Sequence, residues 1–151
     1  MTDSVLRRAR CLVLEALYES ESSTHDAEQT YDRRMDDAAE EDEELAAPGP
    51  RGFGKGMLRG VLKRRVEIDG LIGGAATKHP VETLAIIDRN ILRLAIWELL
   101  SDNAAPVGAV VNEAVELAHR YGGDSTPRFV NGVLRTISTN IRASQSKPEG
   151  T

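Results

Sequence analysis

Three arginines near the N-terminus have a type and spacing that suit binding of an anion. Arg7, Arg8 and Arg10 fall in the first two turns of a segment, residues 4–20, whose apolar side chains recur at helical spacing. Cations near a helix start oppose the helix macrodipole by about 0.3–1 kcal/mol each. An anion bound to this surface would offset that cost. The three arginines are therefore candidate phosphate ligands, and a solvated cationic edge is the alternative.

A second candidate site lies at the start of the last predicted helix. Thr126 followed by Pro127 is typical of a helix start, with a capping hydroxyl and then a proline. Arg128 and Phe129 come next, at the edge of an apolar stripe that later residues of the helix already supply. An aromatic ring can stack on a base while an arginine and free N–H groups hold a phosphate. The pair predicts a nucleic-acid contact, and a core position for Phe129 is the alternative.

The residues that usually carry catalysis or bind metals are not arranged to do so. His25, His79 and His119 are far apart and belong to no metal-binding motif. Cys11 is the only cysteine, which excludes an internal disulfide, and no cysteine–histidine catalytic signature surrounds it. Half of the carboxylates lie in one acidic segment, where burial is not expected to tune their pKa values. The sequence predicts neither an enzyme nor a cofactor nor a bound metal.

Residues 48–56 are rich in glycine and proline and predict a break between helices. Glycines around Phe53 and Lys55 suggest a phosphate loop, but their spacing does not match a P-loop and no strand precedes them. Residues 57–72 follow as an amphipathic helix. Its outer side carries Lys55, Arg59 and Lys63 at helical spacing, which predicts either an extra basic track or a solvated face.

Negative charge is concentrated in one part of the chain. Residues 19–44 hold twelve of the 24 acidic side chains and two of the 19 cationic ones, so this segment carries −10 and the remainder +5. The net charge of −5 therefore does not exclude an anionic partner. We expect residues 20–50 to be partly loop-like or disordered. Their acidic run is either solvated or screens the basic surface from non-specific nucleic acid.

The candidate binding residues must be positioned by helices. Residues 88–100 are apolar around most of a helical circumference, which predicts a buried central helix with Asp88 as its N-cap. Ile87 is expected to close a hydrophobic staple onto Leu92. Residues 107–121 carry a regular apolar stripe that predicts another helix. No segment alternates with period 2 for long enough to form a strand, so the predicted class is all-α.

The length and hydropathy of the chain limit its domain organisation and its location in the cell. The 151 residues suit one helical domain over residues 1–143, followed by a flexible tail at residues 144–151. No run of about 18 apolar residues predicts a membrane span. The N-terminus lacks the apolar core of a signal peptide. We therefore expect a cytoplasmic protein that does not enter a membrane.

Four blocks of sequence, in order along the chain, resemble the NusB family of bacterial transcription antitermination factors. They are RRAR with EALY in residues 7–18, DRNILRLAIWEL in residues 88–99, NEAVELA in residues 112–118 and PRFVNGVL in residues 127–134. The resemblance implies the NusB-like fold of about seven helices, in two small bundles packed across each other.

The resemblance also implies a function. NusB proteins pair with the ribosomal protein NusE and bind boxA, a single-stranded leader RNA element, within the RNA polymerase antitermination complex that transcribes ribosomal RNA operons. By position, the RNA-facing residues are Arg7, Arg8, Arg10, Arg128 and Phe129. By position, the residues near NusE are Tyr18, Glu82 and Asp88. The chain departs from the family at Ala75 and Ala76, where some members carry an RNA-contacting aromatic residue.

Two other functions remain open for this resemblance. The same domain precedes a catalytic domain in some RNA cytosine methyltransferases, but we expect no such domain in a chain of this length. A protein–protein adaptor or a homodimer of the same fold, with weak or no RNA binding, is the second alternative. RNA affinity measured with and without NusE separates this adaptor from an RNA-binding factor.

Overall fold

The computed structural model describes residues 4–101 and 105–145 and consists of helices. The helices, in chain order, are α1 (Val5–Ser22), α2 (Ala27–Glu41), α3 (Pro48–Lys63), α4 (Arg65–Ala75), α5 (Ile86–Leu100), α6 (Val107–Tyr121) and α7 (Thr126–Gln145). A 3₁₀ turn at Val81–Thr83 lies between α4 and α5. No strand occurs within the described ranges. The predicted all-α class, with seven helices, is confirmed.

The chain divides into two compact units, and the domain over residues 1–143 stays a prediction. Unit 1 is Met1–Lys63 and unit 2 is Arg64–Thr151. The predicted helix over residues 57–72 is split at this boundary, because α3 ends at Lys63 and α4 begins at Arg65. Of the predicted tail at residues 144–151, α7 includes residues 144 and 145, and residues 146–151 lie outside the described part of the chain.

Unit 1 is a three-helix arrangement in which α1 packs against both α2 and α3. Ser4 caps α1 by accepting a hydrogen bond from the backbone N–H of Arg7 at 3.1 Å. Asp26 caps α2 in the same way, accepting from the N–H of Gln29 at 2.9 Å. The side chains that α2 contributes to the core include Tyr31 and Met35, both fully buried. Burial of these large side chains orders the first half of the acidic segment.

Residues 20–50 combine a helix with short loops. Ala27–Glu41 forms α2, and the stretches on either side of it are loops. Among residues 42–47 the side chain of Leu45 is buried at 4% exposure. Tertiary burial of a few apolar residues thus outweighs the polar composition of α2, and the expectation of a partly loop-like or disordered segment stays a prediction.

The predicted break at residues 48–56 is also wrong, because α3 begins at Pro48. Proline is tolerated there since N–H groups in the first turn lack partners within the helix. Gly54 is required by a close approach: a Cβ on this residue would lie 2.8 Å from Cζ of Tyr31. The buried Tyr31 hydroxyl donates to the backbone carbonyl of Arg51 at 2.8 Å, and burial raises the pKa of Tyr31 to about 12. The glycine lets a tyrosine pack against the helix backbone.

In unit 2, α5 packs against α4, α6 and α7, as its apolar circumference predicted. It also buries Arg93, whose side chain is 4% exposed. The Arg93 guanidinium donates to both Asp69 oxygens of α4 at 2.8 and 2.9 Å and to Oδ1 of Asn90 at 3.1 Å. A buried arginine needs such paired acceptors. This contact joins α4 to α5.

The predicted cap of α5 is wrong. The helix begins at Ile86, two residues before Asp88, and Ala85 is its flanking residue. Asp88 instead accepts a hydrogen bond from Oγ1 of Thr126 at 3.0 Å. The predicted hydrophobic staple from Ile87 to Leu92 is also wrong. It required a helix that begins after Ile87, and Ile87 lies inside α5. Thr126 is the first residue of α7, not its cap, and its hydroxyl oxygen also accepts from the N–H of Gly123 at 3.0 Å.

Candidate nucleic-acid interface

Arg8 is held by carboxylates of its own unit. Its Nε donates to Oδ2 of Asp42 at 2.7 Å, and its Nη2 donates to Oε1 of Glu44 at 2.9 Å and to Oδ1 of Asp42 at 3.3 Å. The hydrogen bond to Glu44, followed by that to Asp42, raises the pKa of Arg8. Both acceptors belong to the acidic run whose role the sequence left open. A candidate phosphate ligand is therefore already bound to anionic groups.

Arg10 lies over an aromatic ring that the sequence did not assign to this surface. Its guanidinium carbon is 5.1 Å from the ring centroid of Phe53, which comes from the glycine-rich part of α3. An arginine stacked on an aromatic face gains about 0.5–1 kcal/mol at an exposed site. The stack orients Arg10 on unit 1. Arg7 is half-buried on the same helix and contributes its N–H to the Ser4 cap.

The basic track predicted along α3 is largely neutralised by α2. Nζ of Lys55 lies 2.5 Å from Oδ1 of Asp32 and 3.5 Å from Oε1 of Glu28. Arg59 donates to Glu28 through Nε at 3.1 Å and also through Nη2. That pair raises the pKa of Arg59 and lowers the pKa of Glu28. The carboxylates of α2 therefore hold two of the three predicted cations, and Lys63 is exposed at the end of α3.

Arg128 and Phe129 lie in different surroundings, in the first turn of α7 in unit 2. Arg128 is exposed, and no described residue hydrogen-bonds or ion-pairs with its guanidinium. Phe129 is half-buried, whereas the neighbouring Val130 is fully buried and belongs to the core. The ring of Phe129 therefore lies at the edge of the core, where one part of it stays accessible.

Three open depressions surround this turn, and Arg128 lines all of them. The first, of about 410 Å³, is lined by Ala75–His79 and by residues of α7 that include Phe129 and Thr136. The second, also of about 410 Å³, lies between Phe129 and the 3₁₀ turn and includes Asp88. The third, of about 470 Å³, runs between α6 and α7 and includes Arg135. The first turn of α7 thus borders three surface depressions that can receive a ligand.

Three residues at these depressions were missed by the sequence analysis. Lys78 and His79 lie in the connector and line the first depression, and Arg135 lines the third. Neither Lys78 nor Arg135 has a described side-chain partner. Arg135 could have been found because it follows Arg128 by seven residues, which places both on one face of a helix. Lys78 could not, because no periodicity orders the connector.

The connector alanines also lie at the site. Ala75 and Ala76 line the first depression beside Phe129, with Ala76 buried and Ala75 half-buried. The depression therefore has the ring of Phe129 and the imidazole of His79 as its aromatic groups. The cations of the connector and of α7 supply its charge.

The residues predicted near NusE lie in both units. Tyr18 on α1 is 45% exposed. Glu82 is exposed in the 3₁₀ turn. Asp88 is half-buried and joins the start of α5 to the start of α7 through its bond to Thr126.

The remaining chemistry of the described residues is limited. They contain no group of three or more histidine, cysteine or carboxylate side chains placed to hold a metal ion. None of the helices within residues 4–101 and 105–145 is both long and apolar enough to cross a membrane. Cys11 is buried in unit 1.

These features define an all-α protein whose unit 2 presents cations without a described partner around the half-buried ring of Phe129. A family model described as the NusB family matches residues 7–139. The chain is 38% identical over 143 residues to the transcription antitermination protein NusB of Dehalococcoides mccartyi strain CBDB1, covering 95% of this chain and 96% of that one. The chain belongs to the NusB family.

Solved structures agree with this assignment. NusB of T. maritima is 31% identical and superposes with a TM-score of 0.76, covering 92% of this chain and 93% of that one. A chain from a complex of the antitermination factors NusB and NusE with double-stranded RNA is 23% identical, with a TM-score of 0.73, covering 90% and 97%. The similarity to this second chain, at 23% identity, supports the fold alone. The resemblance recognised in the sequence is confirmed.

Proposed function

We propose that this protein is an RNA-binding transcription antitermination factor. With NusE it binds boxA-type single-stranded RNA within the RNA polymerase antitermination complex and supports transcription of ribosomal RNA operons. It acts in the cytoplasm and catalyses no reaction. The names of its relatives and the solved complex of NusB, NusE and RNA support this function.

The observation that carries the proposal is the half-buried Phe129 among cations that have no described partner. Arg128, Arg135 and Lys78 line the depressions around this ring. Unpaired cations can neutralise phosphates without first giving up an ion pair, and they release counterions from the RNA when they do so. The exposed part of the Phe129 ring can stack on a base. RNA is therefore expected to contact unit 2 at the first turn of α7.

We assign the arginines of α1 a second, weaker role in the same function. Arg10 is oriented by its stack on Phe53, and Arg8 becomes available to a phosphate only when it leaves Asp42 and Glu44. Arg7 lies one residue before Arg8 and completes the cationic surface of α1. These residues add electrostatic attraction, while Phe129 and Arg128 fix a base and its phosphate.

The test is a binding measurement with fluorescein-labelled boxA RNA and a scrambled RNA of equal length, with and without NusE. The proposal expects tighter binding of boxA RNA when NusE is present. It also expects the logarithm of affinity to fall with the logarithm of salt concentration by about 0.7 per phosphate contact. An adaptor or homodimer would bind NusE or itself with no RNA affinity above that of the scrambled sequence. The paired carboxylates around Arg8 and Arg59 are the observation that favours this alternative.

A partner contact at Asp88 is tested by two substitutions. Asp88→Lys should weaken the complex with NusE, because it reverses a charge and removes the acceptor for Thr126. Asp88→Asn keeps an oxygen at that position and should retain folding stability within about 0.5–1.5 kcal/mol, the net worth of one hydrogen bond. NusE affinity is measured by isothermal titration calorimetry. Parent-like affinity in both variants would restrict Asp88 to a structural role.

Tyr18 and Glu82 are assigned to the same partner. Both are exposed, so Tyr18→Ala and Glu82→Gln should leave the melting temperature unchanged and lower NusE affinity. A change in melting temperature would mean that these side chains support the fold instead.

A further inference from the structure

The turn that follows α2 binds Arg8 in the way that a phosphate would. Asp42 and Glu44 both lie in this turn, and together they accept three hydrogen bonds from the guanidinium, over 2.7–3.3 Å. The Arg8 side chain is 22% exposed and that of Asp42 is 27% exposed, so this contact is partly shielded from water. Glu44 is 69% exposed and closes it from the solvent side.

The turn is held in place by its own backbone and by the core. The N–H of Asp42 donates to the carbonyl of Ala38 at 3.1 Å, and the N–H of Leu45 donates to the carbonyl of Asp42 at 3.1 Å. Oδ1 of Asp42 also accepts from the N–H of Glu44 at 3.2 Å. Leu45 is buried, which anchors the turn against unit 1. The two carboxylates are therefore presented to Arg8 by a fixed scaffold rather than by long flexible side chains alone.

A guanidinium presents a planar fork of donors that fits carboxylate and phosphate oxygens alike. The N–H groups that now bind Asp42 and Glu44 are those that a phosphodiester would need. We propose that Asp42 and Glu44 form an internal competitor for RNA at Arg8, so that a phosphate of single-stranded RNA must displace them before it can bind. This inference rests on the proposed RNA-binding function.

Such a competitor lowers the affinity of this surface for every RNA. It lowers the contribution of Arg8 by the same factor for every sequence, because the contact it blocks is to the backbone. The ratio of the affinities for two RNAs is therefore unchanged. An RNA that also stacks a base on Phe129 starts from a higher affinity than one that depends on phosphate contacts alone, and it remains the tighter ligand after this loss.

The experiment compares two double variants that remove the same charge. Asp42→Asn with Glu44→Gln is called the open variant, because it removes both negative charges from the acceptors of Arg8 and so weakens this contact. Glu40→Gln with Glu43→Gln is the matched control, because these residues lie in the same acidic run and have no described side-chain partner. Affinity for labelled boxA RNA and for polyuridine of equal length is measured by fluorescence anisotropy over a range of salt concentrations. Circular dichroism and melting temperatures verify that all proteins are folded.

The open variant should bind RNA about two- to fivefold more tightly than the control variant at low salt, the factor that corresponds to one partly exposed ion pair. Its salt dependence should steepen by about 0.7, one additional phosphate contact. Adding Arg8→Ala to the open variant should abolish the gain. Equal gains in RNA affinity in the two double variants would mean that net charge alone causes the effect, and this result would overturn the proposal. Weaker RNA binding by the open variant would overturn it as well, because the carboxylates would then position Arg8 for RNA.

A measurement without RNA separates this inference from the proposed function. In nitrogen-15 NMR spectra, exchange of the Arg8 Nε proton with water should be slow in the parent and in the control variant and fast in the open variant. Slow exchange together with no RNA binding by any of the proteins would overturn the RNA-binding function, and the competitor role with it. RNA binding that is the same in all variants would overturn the competitor role alone.

Discussion

The cations of unit 1 and three surface cations around the start of α7 in unit 2 differ in what surrounds them. In unit 1, carboxylates of α1, α2 and the following turn contact Arg8, Arg59 and other cations. Further pairs include Arg33 and Arg34 with Glu19, Arg51 with Asp36, and Lys55 with Asp32. In unit 2, the described residues offer no partner to the side chains of Lys78, Arg128 or Arg135. The same residue types are thus structural ties in unit 1 and available ligands at this surface of unit 2.

This difference shows why a count of arginines does not locate an anion site. A paired cation must lose its carboxylate before it gains a phosphate, so only the difference between the two contacts adds to affinity. An unpaired cation loses only part of its hydration. The sequence named the arginines of α1 together with Arg128 as RNA-facing and left the cations along α3 open, and the pairing of Arg8, Lys55 and Arg59 separates them from Arg128.

The largest expected effect tests the pair of Arg93 and Asp69 in unit 2. Asp69→Ala should lower the free energy of unfolding by about 3–5 kcal/mol, because it removes a carboxylate that accepts two hydrogen bonds from the buried Arg93. Asp42→Ala removes one carboxylate partner of the more exposed Arg8 and should lower it by about 0–1 kcal/mol. Urea denaturation measures both. Similar losses in the two variants would mean that burial does not distinguish the pairs.

Phe129→Ala is expected to have the next largest effect, on binding rather than folding. Loss of the stacking ring should weaken RNA binding by about 1–3 kcal/mol, while NusE affinity and melting temperature stay close to those of the parent. Phe129→Tyr should keep most of the RNA affinity. If the ring belonged to the core, Phe129→Ala would instead lower stability by about 3–5 kcal/mol. Retained RNA affinity in the folded fraction would then contradict its role as a stacking platform.

A matched pair of arginine substitutions tests the comparison directly. Arg128→Ala should reduce the salt dependence of RNA binding by about 0.7, because it removes one phosphate contact made by an unpaired cation. Arg59→Ala removes the same charge from a side chain that is held by Glu28, and should leave the salt dependence unchanged. Anisotropy titrations over a series of salt concentrations give both values. An equal reduction in the two variants would mean that pairing does not decide which arginine binds RNA.

The smallest expected effect concerns the pairs that join α1 to α2. Hydrogen bonds from Arg33, then His25 and Arg34, lower the pKa of Glu19 from 4.5 to about 2. The stability that Glu19 adds is therefore fully present above pH 4.5 and is lost as the pH falls toward 2. Glu19→Gln should be less stable than the parent at neutral pH, and the two proteins should converge in acid. A difference that persists at pH 2 would place the effect in packing rather than charge.

The sequence by itself determined the class of the fold and much of its interior. The helical spacing of apolar residues located α1, α6 and α7, and the apolar circumference of residues 88–100 predicted the central position of α5. These features are local, because one helix turn relates residues three or four apart. The conjunction of Arg128 and Phe129 at a helix start was visible for the same reason. The family resemblance added the roles of both residues, which stay predictions.

Only the tertiary structure decided which local signals would prevail. The glycine-rich residues 48–56 are helical because Tyr31 of α2 packs against Gly54, and composition carries no record of that neighbour. Asp88 binds Thr126, which is 38 residues away, instead of capping its own helix. Arg8 meets Asp42 across 34 residues. An ion pair between distant residues depends on how helices pack, and the packing sets the distances between charges that the sequence can only count.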